Sequence, residues 1–357
     1  MSAREDHDAI STGEIASVCA HYDLGVVREV RPLGRGARGG KAVLTASTGS
    51  YLLKRRRHAE DPRRVALSHD IQIHLRAAGF PVPELVGTRG ERNSMLQLGG
   101  RVYEMFRFVP GGPYDGSPAA TASAGRTLAE YHRLLRDFTP RWDAPARGYH
   151  ALPGIGEALI DGARRAGLGP TERSAARELA RRYDAASRET ARLGYDALPR
   201  QVVHGDWHPG NLLFDSGVVR AVVDHDSAGV GARVADLAYG LLHFSLNRGR
   251  VRAAATAAGA HEGSLMGPSS PDTTRLAAFA SGYHERSDPP LSPAEAACAP
   301  WLMIEAAVAD AAGMLGEATA APPAEGSGLL GALADLAGRI AASAGVLANI
   351  IGRGAAG

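Results

Sequence analysis

The segment from Gln201 to Leu237 constrains the fold of this chain more than any other part of it. It alternates short apolar runs with tight turns and reads QVVHGDWHPGNLLFDSGVVRAVVDHDSAGVGARVADL. One apolar run leads into His204-Gly205-Asp206, and a Pro-Gly turn then precedes Asn211 and a second apolar run. A third run, from Val218 to Val223, ends in Asp224-His225-Asp226. The pattern predicts three short strands joined by a loop and a turn, with polar side chains at the strand ends.

The polar residues of this segment have the types and the order that phosphoryl transfer from MgATP requires. Asp206 supplies a carboxylate, Asn211 follows five residues later, and Asp224 follows thirteen residues after that. In this chemistry one carboxylate orients the attacking hydroxyl or accepts its proton, while an Asn and an Asp hold magnesium against the phosphates. Magnesium is a hard cation that prefers oxygen ligands. The sequence therefore predicts Asp206 as the catalytic residue and Asn211 with Asp224 as metal ligands.

The composition is that of an ordinary globular protein, and 357 residues are enough for two lobes with separate cores. The 40 basic and 38 acidic residues nearly cancel, and the net charge of +2 gives no electrostatic case for binding nucleic acid. Short basic clusters are interpreted as solvated surface. They are Lys54-Arg55-Arg56-Arg57, Arg63-Arg64 and Arg181-Arg182.

The cysteines and the N-terminal segment indicate a cytoplasmic location. Cys19 and Cys298 are the two cysteines of the chain, and their wide separation argues against a disulfide framework or a cysteine zinc site. The first residues, MSAREDHDAISTGE, are charged and lack the apolar core of a signal peptide. We expect a protein that resides in the reducing cytoplasm.

A glycine-rich loop follows the first predicted strand. Its glycines Gly34, Gly36 and Gly39 have the spacing G-x-G-x-x-G. A dinucleotide-binding fold requires a helix next, whereas residues 41–54 predict two strands joined by a turn. A glycine loop, a hairpin and then a lysine are the order found in a kinase nucleotide lobe. The three glycines are therefore predicted to cover the phosphates and Lys54 to reach them.

The motif residues resemble those of a known enzyme family. His204, Asp206, His208 and Asn211 match HGDxHxxN, and Asp224 with Asp226 matches DxD. The chain resembles the phosphotransferase family of aminoglycoside and choline kinases in this form. The resemblance implies an α+β, bilobal protein-kinase-like fold with a small β-rich N-lobe and a larger, mainly helical C-lobe. It implies an N-lobe over 1–105, a hinge over 106–112, a C-lobe over 113–316, and a linker with an amphipathic helix over 317–357.

The resemblance also implies which residues bind the nucleotide. The hinge would contact a purine through the Arg107 carbonyl and the Val109 amide. A helix predicted over residues 65–78 would supply an acid to pair with Lys54. Asp70 is the acid within that helix, and Glu84 lies beyond it, after two prolines. Asp70 is therefore the predicted partner of Lys54.

Further roles in the catalytic segment follow from the same resemblance. Asp226 would assist the metal or the substrate, and Asp236 would tie down the catalytic loop. His204 would brace that loop through a hydrogen bond, and His208 would do likewise or approach the phosphates. His132, in the first long helix of the C-lobe, is interpreted as a packed core histidine.

The C-lobe sequence leaves the acceptor of the phosphate open. An aminoglycoside or choline would need acidic residues around the site, and candidates in the C-lobe are Glu285, Glu295 and Glu305. The final segment has leucines and isoleucines at alternating four and three spacing from Leu329 to Ile350. Asp335 and Arg339 within it favour an amphipathic helix over a membrane span.

The resulting hypothesis is an ATP-dependent kinase that uses Mg²⁺ and phosphorylates a hydroxyl of a small molecule. Acceptors compatible with the resemblance are an amino sugar, an aminoglycoside-like antibiotic, and a choline-like or homoserine-like alcohol. One alternative is a nucleotide-binding pseudokinase or scaffold, and a second is a metal-dependent hydrolase using His204, Asp206 and His208. A protein kinase is disfavoured because no activation segment is recognisable after Asp224. We expect no nucleic-acid partner and no membrane span, and the sequence leaves a homodimer open.

Overall fold

The computed structural model describes residues 10–33, 40–56, 61–246, 270–317 and 328–353. The described residues form two compact units. The first unit contains the chain up to Gly112, with Thr139–Ala144 and Arg220–Asp226. The second contains Pro113–Phe138, Pro145–Val219 and the chain from Ser227 onward. The first is built on an antiparallel sheet and the second is mainly helical, which confirms the predicted α+β class.

The first unit is a five-stranded antiparallel sheet with two helices. In spatial order the strands are β1 (Val27–Pro32), β2 (Lys41–Ala46), β3 (Gly49–Arg55), β5 (Arg101–Arg107) and β4 (Leu96–Leu98). The helices are α1 (Thr12–Cys19) and α2 (Pro62–Ala77), capped by the side chains of Ser11 and Asp61. Alternate residues of the central strands, such as Leu53 and Met105, are fully buried in the core.

The register of the central strands brings charged residues together within this sheet. Lys54 of β3 lies opposite Lys41 of β2 on one side and opposite Glu104 of β5 on the other. Side chains directly opposite each other on antiparallel strands are in contact distance. The sheet therefore places an acid beside the predicted phosphate lysine.

The second unit combines helices with short strands. Its helices are α3 (Pro118–Leu135), α4 (Ile155–Arg165), α5 (Pro170–Arg192), α6 (Arg233–Ser245), α7 (Thr273–His284), α8 (Pro293–Glu317), α9 (Leu329–Ala342) and α10 (Ala344–Arg353). Strands β6 (Gln201–Val203) and β9 (Gly229–Gly231) pair antiparallel, and β7 spans Leu212–Asp215. Strand β8 (Val218–Val222) follows, and the boundary between the units falls within it. Helix α4 lies in a stretch rich in glycine, proline and arginine.

Two glycines allow α3 and α7 to pack with their backbones in contact. A Cβ atom at Gly125 would lie 2.1 Å from the carbonyl oxygen of Phe279, and one at Gly282 would lie 2.0 Å from that of Ala122. Any larger residue would push the helices apart, because real Cβ atoms do not approach backbone so closely.

The C-terminal segment differs from the single helix that the sequence predicted. Helices α9 and α10 are separated at Ser343 and bent by 70°. Both are attached to the second unit, since Leu330 N donates to Glu172 (3.0 Å) and His284 Nε2 donates to the carbonyl of Ile351 (2.7 Å). Most of the predicted linker, residues 318–327, lies outside the described residues.

One helix in the described part of the chain has the length and hydropathy of a membrane span. It covers Pro293–Gly316, and 72% of its most apolar window is buried inside the structure. The buried core helix of a soluble protein passes the same test, so this feature alone is weak evidence for a span.

Candidate active site

The loop from His204 to Asn211 connects β6 to β7 and carries the predicted catalytic residue. Gly205 has φ +77°, and a Cβ there would lie 2.3 Å from the carbonyl oxygen of Ser227, so only glycine fits. Trp207 is fully buried and packs edge-on against His204 with ring centroids 5.4 Å apart. Trp207 therefore anchors the loop in the core of the second unit.

Asp236, near the start of α6, fixes the loop through hydrogen bonds to its backbone. Its carboxylate accepts the backbone N–H groups of His204 (2.6 Å) and Gly205 (2.8 Å). His132 Nε2 lies 3.2 Å from the same carboxylate, and its Nδ1 bonds the hydroxyl of Tyr283. Asp236 thus makes the structural contact that the sequence predicted, and His132 is a buried core histidine as expected.

The Asp206 carboxylate is fixed by two neighbours on the same loop. Asn211 Nδ2 donates to Asp206 Oδ2 and to the Asp206 carbonyl, both at 2.9 Å. His208 Nδ1 accepts the N–H of Gly210, so its Nε2 carries a proton toward Asp206 Oδ2 at 3.5 Å. Burial alone would raise the pKa of Asp206, but His208, His204 and Asn211 lower it to about 2. The carboxylate is therefore ionised at neutral pH.

His204 braces the loop from within, as the sequence predicted. Its Nδ1 accepts the backbone N–H of Asp206 at 3.3 Å.

A metal-hydrolase site built on His204, Asp206 and His208 gains no support. Among the described residues, no group of three or more His, Cys, Asp or Glu side chains is arranged to hold a metal ion.

The first unit contains the other acidic motif, at the end of β8. Lys54 Nζ lies 2.8 Å from Asp226 Oδ2 and 3.3 Å from Asp224 Oδ1, and Arg56 Nη1 lies 2.5 Å from Asp226 Oδ2. Asp224 has φ +63°, an unfavourable conformation for a non-glycine residue that is often kept at functional sites. Burial alone would raise the pKa of Asp226, but Lys54 and Arg56 hold it well below its usual range.

Glu104, rather than Asp70, is the buried acid beside Lys54. Burial alone would raise the pKa of Glu104, but a hydrogen bond from His69 and the charges of Lys54 and Arg56 lower it to about 2. Burial alone would lower the pKa of Lys54, but Glu104, Asp224 and Asp226 hold it above its ordinary value. Glu104 is fully buried, and sequence reasoning missed it because it lies on a strand.

The predicted pairing of Asp70 with Lys54 is wrong. Asp70 accepts the backbone N–H of Arg141 at 2.8 Å. The preceding residue, His69, faces the sheet instead, with Nε2 2.6 Å from Glu104 Oε1. Successive residues of an α-helix point about 100° apart, so α2 can direct only one of these two side chains to the sheet.

The interpretation of the first arginine cluster as solvated surface is also wrong. Arg55 and Arg56 are 6% and 5% exposed. Arg55 pairs with Glu14 at 3.0 Å, and Arg56 forms a bidentate pair with Glu104. The signal in the sequence was their position at the end of an apolar strand. Arg57 lies outside the described residues.

Each of the predicted metal ligands can offer an oxygen donor within its own unit. Asn211 uses its amide nitrogen for Asp206, which leaves its carbonyl oxygen for another partner. Asp224 and Asp226 offer carboxylate oxygens now held by cations. Such donors fit magnesium, which takes one or two carboxylates and completes its shell with phosphate oxygens and water.

The predicted nucleotide contacts are only partly described. Gly34, Gly36 and Gly39 lie outside the described residues. Arg107 ends β5, and its guanidinium lies 4.7 Å from the centre of the Tyr51 ring and donates to Tyr51 Oη. Val109 lies two residues after Arg107 and is half-buried.

A second acid near Asp206 escaped the sequence analysis. Asp310, on α8, accepts a hydrogen bond from Tyr239 (3.1 Å), and Tyr239 also interacts with Asp206. The signal was an acid within an Ala-rich helix that also carries Glu295 and Glu305. The three acids that the sequence suggested lie elsewhere: Glu285 pairs with Arg126, Glu295 with Arg233, and Glu305 is fully buried.

Proteins of similar sequence include homoserine kinases. The homoserine kinase of Methylocella silvestris is 27% identical over 235 residues, which cover 65% of this chain and 68% of that protein. The homoserine kinase of Phenylobacterium zucineum is 27% identical over 237 residues, which cover 65% of this chain and 69% of that protein.

Solved structures share the fold. A microcompartment-associated aminopropanol kinase has a TM-score of 0.65 at 20% identity, with coverage of 95% of this chain and 98% of that one. A spectinomycin phosphotransferase in complex with ADP and spectinomycin has a TM-score of 0.59 at 13% identity. The match covers 93% of this chain and 97% of that one. The model of the phosphotransferase enzyme family matches residues 29–279. The chain therefore belongs to the phosphotransferase enzyme family and is a small-molecule phosphotransferase.

Proposed function

We propose that the protein is an ATP-dependent kinase that transfers the γ-phosphoryl group of MgATP to a hydroxyl of a small molecule. The observation that carries the proposal is the Asp206 carboxylate, which is ionised and held by Asn211 and His208 on a loop tied to Asp236. A carboxylate with a pKa of about 2 is a weak base. Asp206 therefore orients the acceptor hydroxyl and takes up its proton as the new oxygen–phosphorus bond forms.

The nucleotide would be bound by residues of the first unit. Lys54, kept protonated by its acidic neighbours, supplies the positive charge that the phosphates require. We infer that Gly34, Gly36 and Gly39 cover the phosphates and that Arg107 and Val109 meet the purine. The spectinomycin phosphotransferase of the same fold contains ADP, which supports ATP as the phosphate donor.

Magnesium would be held by Asn211 and Asp224, with Asp226 assisting. When bound, the ion neutralises charge on the phosphates. Lys54 and Arg56 now neutralise Asp224 and Asp226, so these cations keep the two carboxylates in place before a ligand arrives.

The acceptor is a small alcohol. Homoserine kinases among the relatives, and the aminopropanol and spectinomycin enzymes among the structures, support acceptors that combine a hydroxyl with nitrogen. Amino sugars, aminoglycoside-like antibiotics, and choline-like or homoserine-like alcohols are therefore the classes to test. No observation favours the pseudokinase or the hydrolase.

Nucleotide binding tests the first half of the proposal. ATP with magnesium should raise the melting temperature of the purified protein, because a ligand specific for the folded state stabilises it. Asp224→Ala should lose the magnesium-dependent part of that shift, and Asp215→Ala, which alters an exposed acid at the end of β7, should retain it. An ATP-induced rise in melting temperature that is the same with and without magnesium, and the same in Asp224→Ala as in wild type, would contradict the metal assignment.

Phosphoryl transfer tests the second half. ADP release in the presence of each acceptor class should identify at least one substrate, with the phosphorylated alcohol confirmed by mass spectrometry. Asp206→Asn should lower kcat by about 10²–10⁴-fold while ATP still stabilises the variant. If Asp206→Asn keeps wild-type kcat, Asp206 is not the catalytic residue.

A further inference from the structure

The second unit contains a cavity of about 540 Å³ beside the C-terminal end of α5. Residues within 146–152 form one wall, and residues within 187–200 form the other. The lining includes neither Asp206 nor Asn211, so the cavity is separate from the candidate catalytic residues. Its volume is in the range of sites that bind small organic molecules.

A largely buried histidine lies in the wall of this cavity. The side chain of His150 is 8% exposed, and its Nδ1 lies 3.1 Å from both carboxylate oxygens of Glu305. The same carboxylate, which is fully buried, accepts hydrogen bonds from Ser187 Oγ (2.8 Å), Thr190 Oγ1 (2.7 Å) and the backbone N–H of Ala151 (3.1 Å). Because an ionised carboxylate only accepts, Nδ1 of His150 carries a proton.

The other ring nitrogen of His150 has no partner in the part of the chain that the structure describes. It lies on the edge of the ring opposite the Glu305 contact, toward the cavity. A polar atom on a buried side chain normally has a hydrogen-bond partner, and a protonated imidazole donates from both nitrogens. His150 can therefore bind Glu305 with one nitrogen and an anion in the cavity with the other.

Two arginines of the same lining carry permanent positive charge. The guanidinium carbon of Arg200 lies 4.7 Å from the centre of the Tyr195 ring, and that centre lies 4.6 Å from the centre of the His150 ring. Tyr195 thus holds Arg200 and His150 close together. Arg188 is exposed and makes no ion pair with any described residue. Asp196, the acid of this lining, is 78% exposed and lies 4.0 Å from Arg200.

The remaining surface of the cavity is largely apolar. Side chains of Ala146, Leu152, Ala191 and the Tyr195 ring contribute to it. Guanidinium groups bind phosphate and carboxylate oxygens through paired donors, and complementary charge favours an anionic ligand. The chemistry of the lining therefore matches an oxyanion that is attached to an apolar body.

The cavity wall is hydrogen-bonded to the strands that support the catalytic loop. Arg147 N donates to the carbonyl of Val230, and Val230 N donates to the carbonyl of Pro145, both at 2.8 Å. Val230 lies in β9, which pairs with β6, and β6 leads directly into His204. A ligand that orders this wall is thus connected to the catalytic loop through a continuous set of backbone hydrogen bonds.

We propose that this cavity is an effector site for a small molecule that carries a phosphate or carboxylate group on an apolar body. His150, Arg188 and Arg200 bind the oxyanion, and the ligand acts on the catalytic loop through β9 and β6. The binding site is independent of the proposed function, whereas the effect on turnover rests on it.

Calorimetric titration of the full-length protein tests the site with three probes of similar shape. They are phenyl phosphate, phenylacetate and benzyl alcohol. At least one of the two oxyanions should bind at least about tenfold more tightly than the neutral alcohol, as expected for charge-assisted hydrogen bonds. The stronger oxyanion identifies which of the two groups the site prefers. Equal affinities for all three probes overturn the proposal.

Variants of the lining locate the oxyanion. Arg188→Gln and Arg200→Gln should each lower the affinity for the preferred oxyanion by about threefold to tenfold, because each removes a positive charge at the site. His150→Gln should lower it by a similar factor, and thermal unfolding establishes that each variant is folded. Arg177→Gln, which changes an exposed arginine three turns earlier on α5, is the matched control and should keep the wild-type affinity.

A variant of the first unit separates this site from the nucleotide site. Lys54→Gln removes the positive charge predicted to meet the phosphates of ATP and should leave the affinity for the oxyanion unchanged. Loss of binding in folded Lys54→Gln, with wild-type binding in Arg188→Gln and Arg200→Gln, would place the oxyanion at the nucleotide site and overturn the proposal.

Turnover tests the effector role. A saturating concentration of the preferred oxyanion should change kcat by at least about twofold at saturating ATP, and the change should be absent in the double variant of Arg188→Gln and Arg200→Gln. An unchanged kcat with the oxyanion bound contradicts the effector role and leaves the binding site standing. Absence of phosphoryl transfer to every acceptor contradicts the proposed function and the effector role with it, while calorimetry still decides the binding site.

Discussion

Glu104 lies directly opposite Lys54 on the antiparallel strands β3 and β5, and its carboxylate forms a bidentate pair with Arg56. Helix α2 adds His69, whose Nε2 lies 2.6 Å from Glu104 and whose Nδ1 lies 2.8 Å from the hydroxyl of Ser94. The acid beside the phosphate lysine is therefore part of the sheet. Its position follows from the register of two strands.

Glu104→Gln should destabilise the first unit strongly. The change removes the buried charge of the pair and leaves Lys54 and Arg56 with the less buried Asp224 and Asp226. Breaking a buried pair costs about 3–5 kcal/mol of unfolding free energy. Urea unfolding measures the loss. Glu91→Gln, which changes an exposed acid bonded to Asn93, is the matched control and should change stability little. Similar stabilities for the two variants would show that the Glu104 pair is not important for folding.

The stability of the protein should fall at acid pH in a way that depends on Glu104. Its pKa of about 2 in the folded protein is below that of an unfolded glutamate, about 4.3. A depressed pKa contributes stability that is fully present above the unfolded value and is lost as the pH falls toward the folded value. Unfolding free energy measured at several pH values between 5 and about 2 should decline less steeply in Glu104→Gln than in wild type. Equal slopes would mean that the carboxyl titrates alike in both states.

Asp236→Asn should impair catalysis while leaving ATP binding intact. The amide NH₂ would face one of the backbone N–H groups of His204 and Gly205, and the loop that carries Asp206 would shift. Misplacement of a catalytic group by about 1 Å can lower the rate about 10²-fold. Steady-state kinetics should show a lower kcat, with the ATP-induced rise in melting temperature retained.

The matched control for Asp236 is Asp335→Asn, an exposed acid on α9. It should leave kcat at the wild-type value. If the two variants behave alike, the bonds from Asp236 to the loop do not position Asp206.

Two glycine substitutions should have opposite effects on stability. Gly282→Ala would place a Cβ 2.0 Å from the carbonyl oxygen of Ala122, and overpacking of this kind costs about 1–3 kcal/mol or more. Gly313→Ala, in the interior of α8 with no atom within 4 Å of the new Cβ, should instead stabilise by up to about 1 kcal/mol because alanine favours helix. Thermal unfolding of both variants checks the sign of each change. A stabilised Gly282→Ala would mean that α3 and α7 separate without cost.

Much of the helix and strand pattern was predictable because its signals are local. Ser11 and Asp61 precede the helices that they cap, and the turns around Gly49 and Gly99 join paired strands. Helix α4 has no comparable local signal, because the glycines and prolines that flank it are typical of a loop. The break at Ser343 was missed because the apolar spacing continues across it.

The sequence by itself determined the catalytic segment, because Asp206, Asn211 and Asp236 lie within one short stretch whose turns are set by neighbouring residues. The tertiary structure alone decided the partners from distant parts of the chain. Glu104 meets Lys54 through strand register, and Asp310 meets Tyr239 through the packing of two helices. Spacing along the chain specifies which side of a helix or strand a residue occupies. It does not specify which other element packs there, and for that reason Asp70 was chosen in place of Glu104.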